Sequence, residues 1–206
     1  MATARIPLIA KSIYKGALCR IESKEKAVYL TFDDGPIPEA TPLVLDILKQ
    51  YNAKATFFCV GDNVRKYPEI FQRIVNEGHS VGNHTFNHID GWKTTLKTYT
   101  ENVEKCTELV GSKLFRPPYG RIRLSQFNNL KKKYKIVLWD LLSMDYDTKL
   151  DANRCFSIVE KKTREGSILV FHDSIKAHEK IPHLLPRTLE FLAKEGYALK
   201  PISSTI

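Results

Sequence analysis

Two adjacent aspartates, Asp33 and Asp34, end an apolar segment, and two histidines, His84 and His88, follow further along the chain. Carboxylate and imidazole groups are ligands that Zn²⁺ and similar first-row metals accept. A second carboxylate beside the cation can take a proton from water if it does not bind the metal. Histidines four residues apart point the same way if the segment is helical. Together the four residues predict a metal-dependent hydrolase.

Each pair of residues also has a purely structural interpretation. The run from Asp33 to Pro36 suits a turn, because Asp, Gly and Pro dominate turns. The two histidines do not form the His-Glu-x-x-His motif of zinc peptidases, because Thr85 stands where the glutamate would be. Only the combination of both pairs favours a catalytic metal site.

The elements that would position these residues alternate along the chain. Apolar, β-rich runs occur at 27–32, 54–60, 80–82, 113–116, 135–141, 167–172 and 197–200. Segments with helical apolar spacing, such as 42–48 and 70–75, lie between most of them. This alternation predicts a parallel sheet covered by helices. Because the chain is near the short limit for an eightfold barrel, we expect a single α/β domain forming a distorted or incomplete (β/α) barrel of about seven parallel strands.

Polar residues follow the predicted strands. The strand ends supply Asp33 and Asp34, His84 and His88, Arg116, Asp145, and His172. In a parallel βα barrel the carboxyl ends of the strands meet at one rim, where active sites are built. These side chains are therefore predicted to share one cleft.

Residues 1–26 are predicted to form a basic, amphipathic segment that packs on a catalytic domain of residues 27–206. The apolar run at 6–10 is too short for a transmembrane helix or a signal-peptide core. Residues 8–19 could form a helix that packs on the domain or lies on a membrane surface. We therefore expect a cytoplasmic or membrane-surface protein rather than a secreted one.

The composition limits the class of partner. The 206 residues carry 32 basic and 23 acidic side chains, a net charge of +9, but the lysines are dispersed. Basic and aromatic residues do not interleave as in a groove for single-stranded nucleic acid. The four cysteines show no Cys-x-x-Cys spacing and no disulfide framework. We expect a monomer that does not bind nucleic acid.

Five motifs in order make the chain resemble the polysaccharide deacetylases of carbohydrate esterase family 4, which share the NodB homology domain. The resemblance runs from about residue 27 to residue 197. The motifs occupy residues 31–35, 84–88, 116–120, 143–146 and 170–172.

The resemblance implies metal-dependent hydrolysis of an N-acetyl group on an amino sugar, which releases acetate. By similarity, Asp34, His84 and His88 hold a divalent metal, with Zn²⁺ expected and Co²⁺, Ni²⁺ or Mn²⁺ as alternatives. Asp33 is the base that activates water, and His172 is the acid that protonates the departing amine.

The remaining motif residues have supporting roles by the same resemblance. Arg116 is expected to orient Asp33 and to pair with Asp145. The backbone N–H of Tyr119 is expected to stabilise the oxyanion, and Pro117 and Pro118 make that loop rigid. Tyr119, Tyr146 and Val170 are expected to contact the substrate.

Two of the motifs depart from the family pattern. Tyr146 replaces a tryptophan of the fourth motif, and Leu142 replaces its leading aspartate. Asp140 lies two residues earlier, and whether it substitutes for that aspartate is left open. Val170 stands where leucine is common, at the floor of the acetyl pocket. Trp139 is predicted to pack in the core.

Other functions remain open at this point. The same residues can act on a non-sugar amide or an O-acetyl ester. A catalytically silent carbohydrate-binding protein is a further alternative, although a pure binder does not need the uncoordinated carboxylate of Asp33. Within the favoured class, the substrate can be peptidoglycan, a chitin-like glycan or a smaller acetylated saccharide.

Overall fold

The structure, a computed structural model, describes residues 4–203. Its strands are β1 Ala27–Asp33, β2 Thr56–Cys59, β3 Ser80–Asn83, β4 Leu114–Phe115, β5 Lys135–Ile136, β6 Leu141–Leu142, β7 Ile168–His172 and β8 Ala198–Leu199. Its α-helices are α1 Leu8–Ile13, α2 Thr41–Gln50, α3 Gly61–Lys66, α4 Pro68–Asn76, α5 Leu96–Val110, α6 Leu124–Leu130, α7 Ala152–Lys162, α8 Ile175–His178 and α9 Ile181–Lys194. Short 3₁₀ turns occupy Gly91–Lys93 and Pro118–Gly120.

The strands form one parallel sheet in the order β5-β4-β3-β2-β1-β7-β6, and β8 pairs with the start of β1. The sheet curls into a half-barrel with helices packed on it. This confirms the predicted α/β fold, a distorted barrel of about seven parallel strands in a single domain.

The centre of the sheet is apolar on both faces. Every residue of β1 is buried, as expected for a strand covered on both sides. Phe32 stacks between Phe57 of β2 and Phe171 of β7, with ring centroids 5.1 Å and 5.7 Å apart. These contacts fix the carboxyl ends of β1, β2 and β7 relative to one another.

The predicted strand at 135–141 is instead two short strands, β5 and β6. Between them the backbone changes partners: the N–H of Val137 bonds to β4, that of Leu138 to Leu18, and that of Asp140 to β7. The chain crosses here from the β4 side of the sheet to the β7 side, so no single neighbour can pair with the whole run. The pattern of apolar residues does not reveal this change of partner.

The N-terminal segment packs where β5 and β6 separate. Ile6 and Cys19 are buried against Leu138. The buried carboxylate of Asp140 accepts a hydrogen bond from Arg5 at 2.9 Å. The helix predicted at 8–19 is shorter, ending at Ile13. The domain boundary at residue 26 stays a prediction, and residues 1–3 lie outside the described residues.

Between residues 4 and 203, every helix is too short or too polar to cross a lipid bilayer. The four cysteines are free and buried.

Candidate metal centre and active site

A cleft of about 900 Å³ opens at the carboxyl ends of the strands. Nine of the ten predicted site residues line it: Asp33, Asp34, His84, His88, Arg116, Tyr119, Tyr146, Val170 and His172. The tenth, Asp145, is fully buried and bonds to His172. Side chains that are far apart in the sequence therefore meet at one rim, as expected for a parallel βα fold.

Asp34, His84 and His88 form a set of groups that can hold a metal ion. Their ligand atoms all lie within 4.8 Å of one another. The Oδ1 atom of Asp34 is 3.0 Å from Nε2 of His88 and 3.7 Å from Nε2 of His84. One carboxylate and two imidazoles are a donor set that suits zinc and related metals.

The protonation states of His84 and Asp34 also fit a cation. The Nδ1 atom of His84 lies 2.8 Å from the carbonyl oxygen of Arg116, so Nδ1–H can donate there and Nε2 keeps its lone pair. Burial lowers the pKa of His84 to about 4, which keeps the ring neutral. Burial alone would raise the pKa of Asp34, but the hydrogen bond from His88 and the nearby histidines lower it, so Asp34 is a carboxylate.

The two histidines converge through a loop, because residues 84–88 are not helical. Thr85 and His88 have φ values of +62° and +53°, and these left-handed residues turn the chain back on itself. The side-chain oxygen of Asn83 accepts the N–H of Thr85 at 2.8 Å and holds the turn. The helical geometry considered from the spacing is wrong, although the histidines do point the same way.

Backbone strain is concentrated around the cleft. Non-glycine residues with positive φ at the site are Asp34 (+89°), Thr85 (+62°), His88 (+53°), Tyr119 (+58°) and Met144 (+64°). In the described chain only Asn52, at the end of α2, has this conformation elsewhere. Such residues cost about 1–3 kcal/mol each and persist only where their surroundings hold them. The loops that carry the site residues are therefore held in a strained form by their hydrogen bonds.

Arg116 holds Asp33 in place. Its Nη1 atom donates to Oδ1 of Asp33 at 2.7 Å and to the hydroxyl of Thr31 at 2.8 Å, and Nη2 donates to the carbonyl of Leu138 at 3.0 Å. The side chain of Arg116 is 2% exposed, so the charge pair is largely shielded from solvent. Asp33 is thus oriented by a fixed cation and lies outside the trio of groups that could hold a metal ion.

Asp145 pairs with His172, and the predicted pairing of Arg116 with Asp145 is wrong. One carboxylate oxygen of Asp145 lies 2.7 Å from Nδ1 of His172, and the other accepts the backbone N–H of His172 at 2.7 Å. Burial alone would lower the pKa of His172, but the charge and hydrogen bond of Asp145 raise it to about 9. The ring is therefore protonated at neutral pH, with Nδ1–H directed at Asp145.

Sequence reasoning missed Lys180, which holds the turn that carries Asp145. The Nζ atom of Lys180 donates to the carbonyl oxygens of Asp145 and Asp147, at 2.8 Å and 2.7 Å. Lys180 precedes α9 and follows no strand, so neither motif spacing nor strand ends single it out.

Asp173 is a second missed residue, although it follows His172 directly. Its carboxylate accepts the N–H of Gly35 at 3.1 Å and the hydroxyl of Thr41 at 2.6 Å, which fixes the loop after Asp34. A Cβ at Gly35 would lie 1.8 Å from this carboxylate, so only glycine fits there. Burial raises the pKa of Asp173 to about 8 in spite of these hydrogen bonds. Its position directly after the fifth motif was the available signal.

The walls of the cleft include both predicted and unpredicted residues. Tyr146 packs edge-on against His172, with ring centroids 5.0 Å apart, and Val170 lies beside them in the lining. Trp139, predicted to pack in the core, is half-buried: it packs against the cluster of Ile6, Cys19 and Leu138, and it also lines the cleft. Its ring lies where a Cβ on Gly120 would approach to 2.4 Å, so the third motif and Trp139 fit closely.

In this chain an apolar residue, Leu142, occupies the position of the fourth motif's leading aspartate. Leu142 lines the cleft. Asp140 does not substitute for the missing carboxylate, because it lies at the opposite end of β6 and bonds to Arg5, Arg164 and Ser167. This side of the cleft therefore lacks the charge that the family pattern would place there.

Comparison with known proteins places the chain among deacetylases. The sequence model described as "Polysaccharide deacetylase" matches residues 20–137. A peptidoglycan-N-acetylglucosamine deacetylase of Bacillus cereus is 38% identical over 158 residues, covering 73% of this chain and 57% of that protein. A second protein of that name from the same organism is 33% identical over 201 residues, covering 90% and 91%. A chitooligosaccharide deacetylase of Azorhizobium caulinodans is 33% identical over 172 residues, covering 80% and 81%.

Solved structures agree with the sequence comparisons. A crystal structure of a peptidoglycan N-acetylglucosamine deacetylase, in complex with an N-oxidanyl-benzamide, superposes with a TM-score of 0.82 and 29% identity. The similarity covers 96% of this chain and 95% of that one. The chain spans a little over half the length of the first of the Bacillus cereus relatives and nearly the whole length of the second.

Proposed function

Because the chain belongs to the polysaccharide deacetylase family and is an enzyme of that family, we propose that it hydrolyses the N-acetyl group of an acetylated amino sugar in a glycan. The products are acetate and the free amine. The observation that carries this proposal is the meeting of Asp34, His84 and His88 beside Asp33, a carboxylate outside the metal-binding trio.

Asp34, His84 and His88 are the residues proposed to hold a divalent metal, with Zn²⁺ as the favoured ion and Co²⁺, Ni²⁺ and Mn²⁺ as alternatives. When bound, such an ion lowers the pKa of water and polarises a carbonyl group. The neutral ring of His84 and the carboxylate of Asp34 support this assignment.

Asp33 is proposed to take the proton from the attacking water. Its carboxylate is held by Arg116 at 2.7 Å, so one oxygen is occupied and the carboxylate cannot rotate freely. A base must lie within reach of the proton that it removes. The bond to Arg116 provides that fixed position.

Attack on the acetamide carbonyl creates a negative oxygen, which needs a donor placed in advance. The backbone N–H of Tyr119 is proposed as that donor. Tyr119 lines the cleft with a φ of +58°, between the rigid Pro117–Pro118 pair and Gly120. The left-handed conformation of Tyr119 turns the peptide out of the path that an extended loop would follow.

His172 is proposed to donate the proton that lets the amine depart. Asp145 accepts the hydrogen bond from Nδ1–H of His172. The Nε2–H of the protonated ring is therefore left as the donor to the substrate. The raised pKa of His172 supplies the protonated form at neutral pH. Asp145 and Lys180 act by positioning this ring.

The substrate is proposed to be a peptidoglycan, a chitin-like glycan or a smaller acetylated saccharide, because relatives are named for peptidoglycan N-acetylglucosamine and for chitooligosaccharides. A membrane contact through the N-terminal segment, a monomeric state and the absence of nucleic-acid binding stay predictions. Tyr119, Tyr146 and Val170 are proposed to contact the sugar and its acetyl group.

An acetate-release screen tests this proposal. The substrates are peptidoglycan fragments, N-acetylated chitooligosaccharides, an N-acetylated non-sugar amine and an O-acetylated xylan. We expect acetate only from the N-acetylated sugars. Release from the xylan or the simple amide alone would favour one of the alternative reactions, and no release from any substrate would favour the silent carbohydrate-binding protein.

A further inference from the structure

The peptide unit that joins Asp34 to Gly35 is held at both ends by side chains from distant parts of the chain. Its carbonyl oxygen accepts a hydrogen bond from Nδ2 of Asn63 at 2.8 Å. Its N–H donates to Oδ1 of Asp173 at 3.1 Å. We define the peptide clamp as the side chains of Asn63 and Asp173. With both polar groups of the peptide bonded in this way, the peptide cannot rotate without breaking at least one of the two bonds.

The clamped peptide sets the conformation of a proposed metal ligand. Asp34 has a φ of +89°, which residues with a Cβ rarely adopt. Such a conformation persists only where the surroundings hold it. Rotation of the Asp34–Gly35 peptide would change the backbone angles of Asp34 and the direction of its side chain. The peptide clamp therefore keeps the carboxylate of Asp34 directed at Nε2 of His84 and of His88, 3.7 Å and 3.0 Å away.

Asp173, one half of the peptide clamp, is itself fixed. Its side chain lies in the interior, where the residue is 1% exposed. Oδ2 accepts the hydroxyl of Thr41 at 2.6 Å, and the backbone N–H donates to the carbonyl oxygen of Asp33 at 3.1 Å. The carboxylate is therefore held at the end of β1 and the start of α2 before any metal binds.

Asn63, the other half, lies on α3, which also contacts the loop that carries the two histidines. The first two N–H groups of α3 donate to the carbonyl oxygens of Thr85 and Phe86, at 3.0 Å and 2.9 Å. Through these bonds α3 joins the histidine loop to the loop of Asp34. The position of Asn63 is thus set by the same segment that holds His84 and His88.

We propose that the peptide clamp sets the affinity of the site for its divalent metal, by holding Asp34 in the conformation that binds the ion. The inference rests on the proposed function, because Asp34 is a metal ligand only in that proposal. Asn63 and Asp173 are positioning residues that act through the Asp34–Gly35 peptide. Because loss of either bond leaves the peptide free to turn, removing one half of the clamp should cost as much affinity as removing both.

The experiment measures Zn²⁺ affinity without substrate, by competition with a chromophoric chelator. The variants are Asn63→Ala, Asp173→Ala, the double variant and Asp173→Asn, which keeps an oxygen that can accept the N–H of Gly35. The matched control is Thr188→Ala, because Thr188 is a fully buried hydroxyl bonded within α9 and is absent from the cleft lining. Denaturant unfolding gives the free energy of unfolding of each variant, and acetate release is measured at saturating Zn²⁺.

We expect Asn63→Ala and Asp173→Ala each to lower Zn²⁺ affinity by about 10–100-fold, as is typical for groups that orient metal ligands. The double variant should lose affinity by a similar factor, because the two halves hold one peptide. Asp173→Asn should keep most of the affinity. Thr188→Ala should lower the free energy of unfolding and leave Zn²⁺ affinity unchanged, which separates positioning from general stability.

The inference is overturned by unchanged Zn²⁺ affinity in Asn63→Ala, or by a double variant in which the two single losses multiply. Asn63 is only half-buried, so Asn63→Ala should fold and decides the question even if Asp173→Ala does not fold.

The two proposals can fail separately. Acetate release together with Zn²⁺ affinity that ignores the peptide clamp removes the clamp and leaves the proposed function. Zn²⁺ binding that depends on the clamp, without acetate release from any N-acetylated sugar, removes the proposed function and leaves the clamp as the element that positions Asp34. Failure of the unsubstituted protein to bind Zn²⁺ removes both.

Discussion

Asp33 and His172 are register partners at the carboxyl ends of the neighbouring parallel strands β1 and β7. The proposed base and the proposed acid therefore project from one pair of hydrogen-bonded strands, where the relative position of the two backbones is fixed. Each side chain has its own buried or nearly buried partner, Arg116 for Asp33 and Asp145 for His172. In the proposed mechanism, this arrangement gives each of the two proton transfers its own residue while both residues stay in one cleft.

Asp33→Asn should retain the metal and lose activity. The amide can still accept a hydrogen bond from Arg116, but it cannot take a proton from water, so the rate should fall by about 10²–10⁴-fold. Acetate release gives the rate, and elemental analysis gives the metal content. Asp46→Asn, a change to an exposed carboxylate on α2, is the control and should keep full activity. A near-normal rate in Asp33→Asn would refute the role of Asp33 as base.

His84→Ala should lose the metal as well as activity, because one of three protein ligands is removed and the remaining two hold a cation weakly. Elemental analysis after dialysis is the measurement. His178→Ala removes an exposed histidine of α8 and serves as the matched control. If His84→Ala kept one metal ion per chain, the ligand assignment would fail.

The fall in kcat/KM at alkaline pH, the alkaline limb of the pH profile, should reflect the loss of the proton from His172. Its acid form is needed, so activity should fall as the pH rises through the pKa of His172, which Asp145 raises to about 9. Asp145→Asn removes the negative charge that raises this pKa, so the limb should move to lower pH. The measurement is kcat/KM for acetate release as a function of pH. A limb that stays in place in Asp145→Asn would contradict the assignment.

Arg116→Met should destabilise the fold in addition to abolishing activity. The change leaves the carboxylate of Asp33 buried without its cation and removes the donors to Thr31 and Leu138. Breaking a buried ion pair by removing one partner costs about 3–5 kcal/mol. Denaturant unfolding measures the loss. Arg65→Met, at an exposed ion pair on α3, should cost under about 1 kcal/mol, and a similar small loss for Arg116→Met would contradict the structural account.

The meeting of the site residues in one cleft could be predicted from the sequence because it depends on local features. Asp33, Arg116 and His172 each follow or end an apolar strand, and parallel strands bring such positions to one rim. The type of fold could be predicted for the same reason, since alternating strands and helices specify it.

The partner of Asp145 could not be predicted, because it depends on the lateral order of strands. Asp145 follows β6, which pairs with β7, so its carboxylate meets His172 at the end of β7. Arg116 follows β4, on the far side of β1, and bonds to Asp33, as the resemblance implied, but does not pair with Asp145. Strand order is a property of the whole sheet, and the motif spacings do not encode it.

The geometry of the loop that carries the proposed metal ligands His84 and His88 could not be predicted from the sequence pattern. The spacing of His84 and His88 fits one helical turn, yet positive φ angles at Thr85 and His88 bring the rings together in a loop. A strained conformation of this kind depends on tertiary hydrogen bonds, such as the one from the N–H of Phe86 to the side-chain oxygen of Asn102.

Metal dependence tests the central claim, that one cation held by Asp34, His84 and His88 is required for deacetylation. Acetate release from N-acetylated chitooligosaccharides is measured with the protein as purified, after removal of metal by a chelator, and after addition of Zn²⁺ or Co²⁺. We predict that the stripped protein is inactive and that added metal restores the rate in the unsubstituted chain but not in His84→Ala. An equal rate from the metal-free protein would contradict the claim.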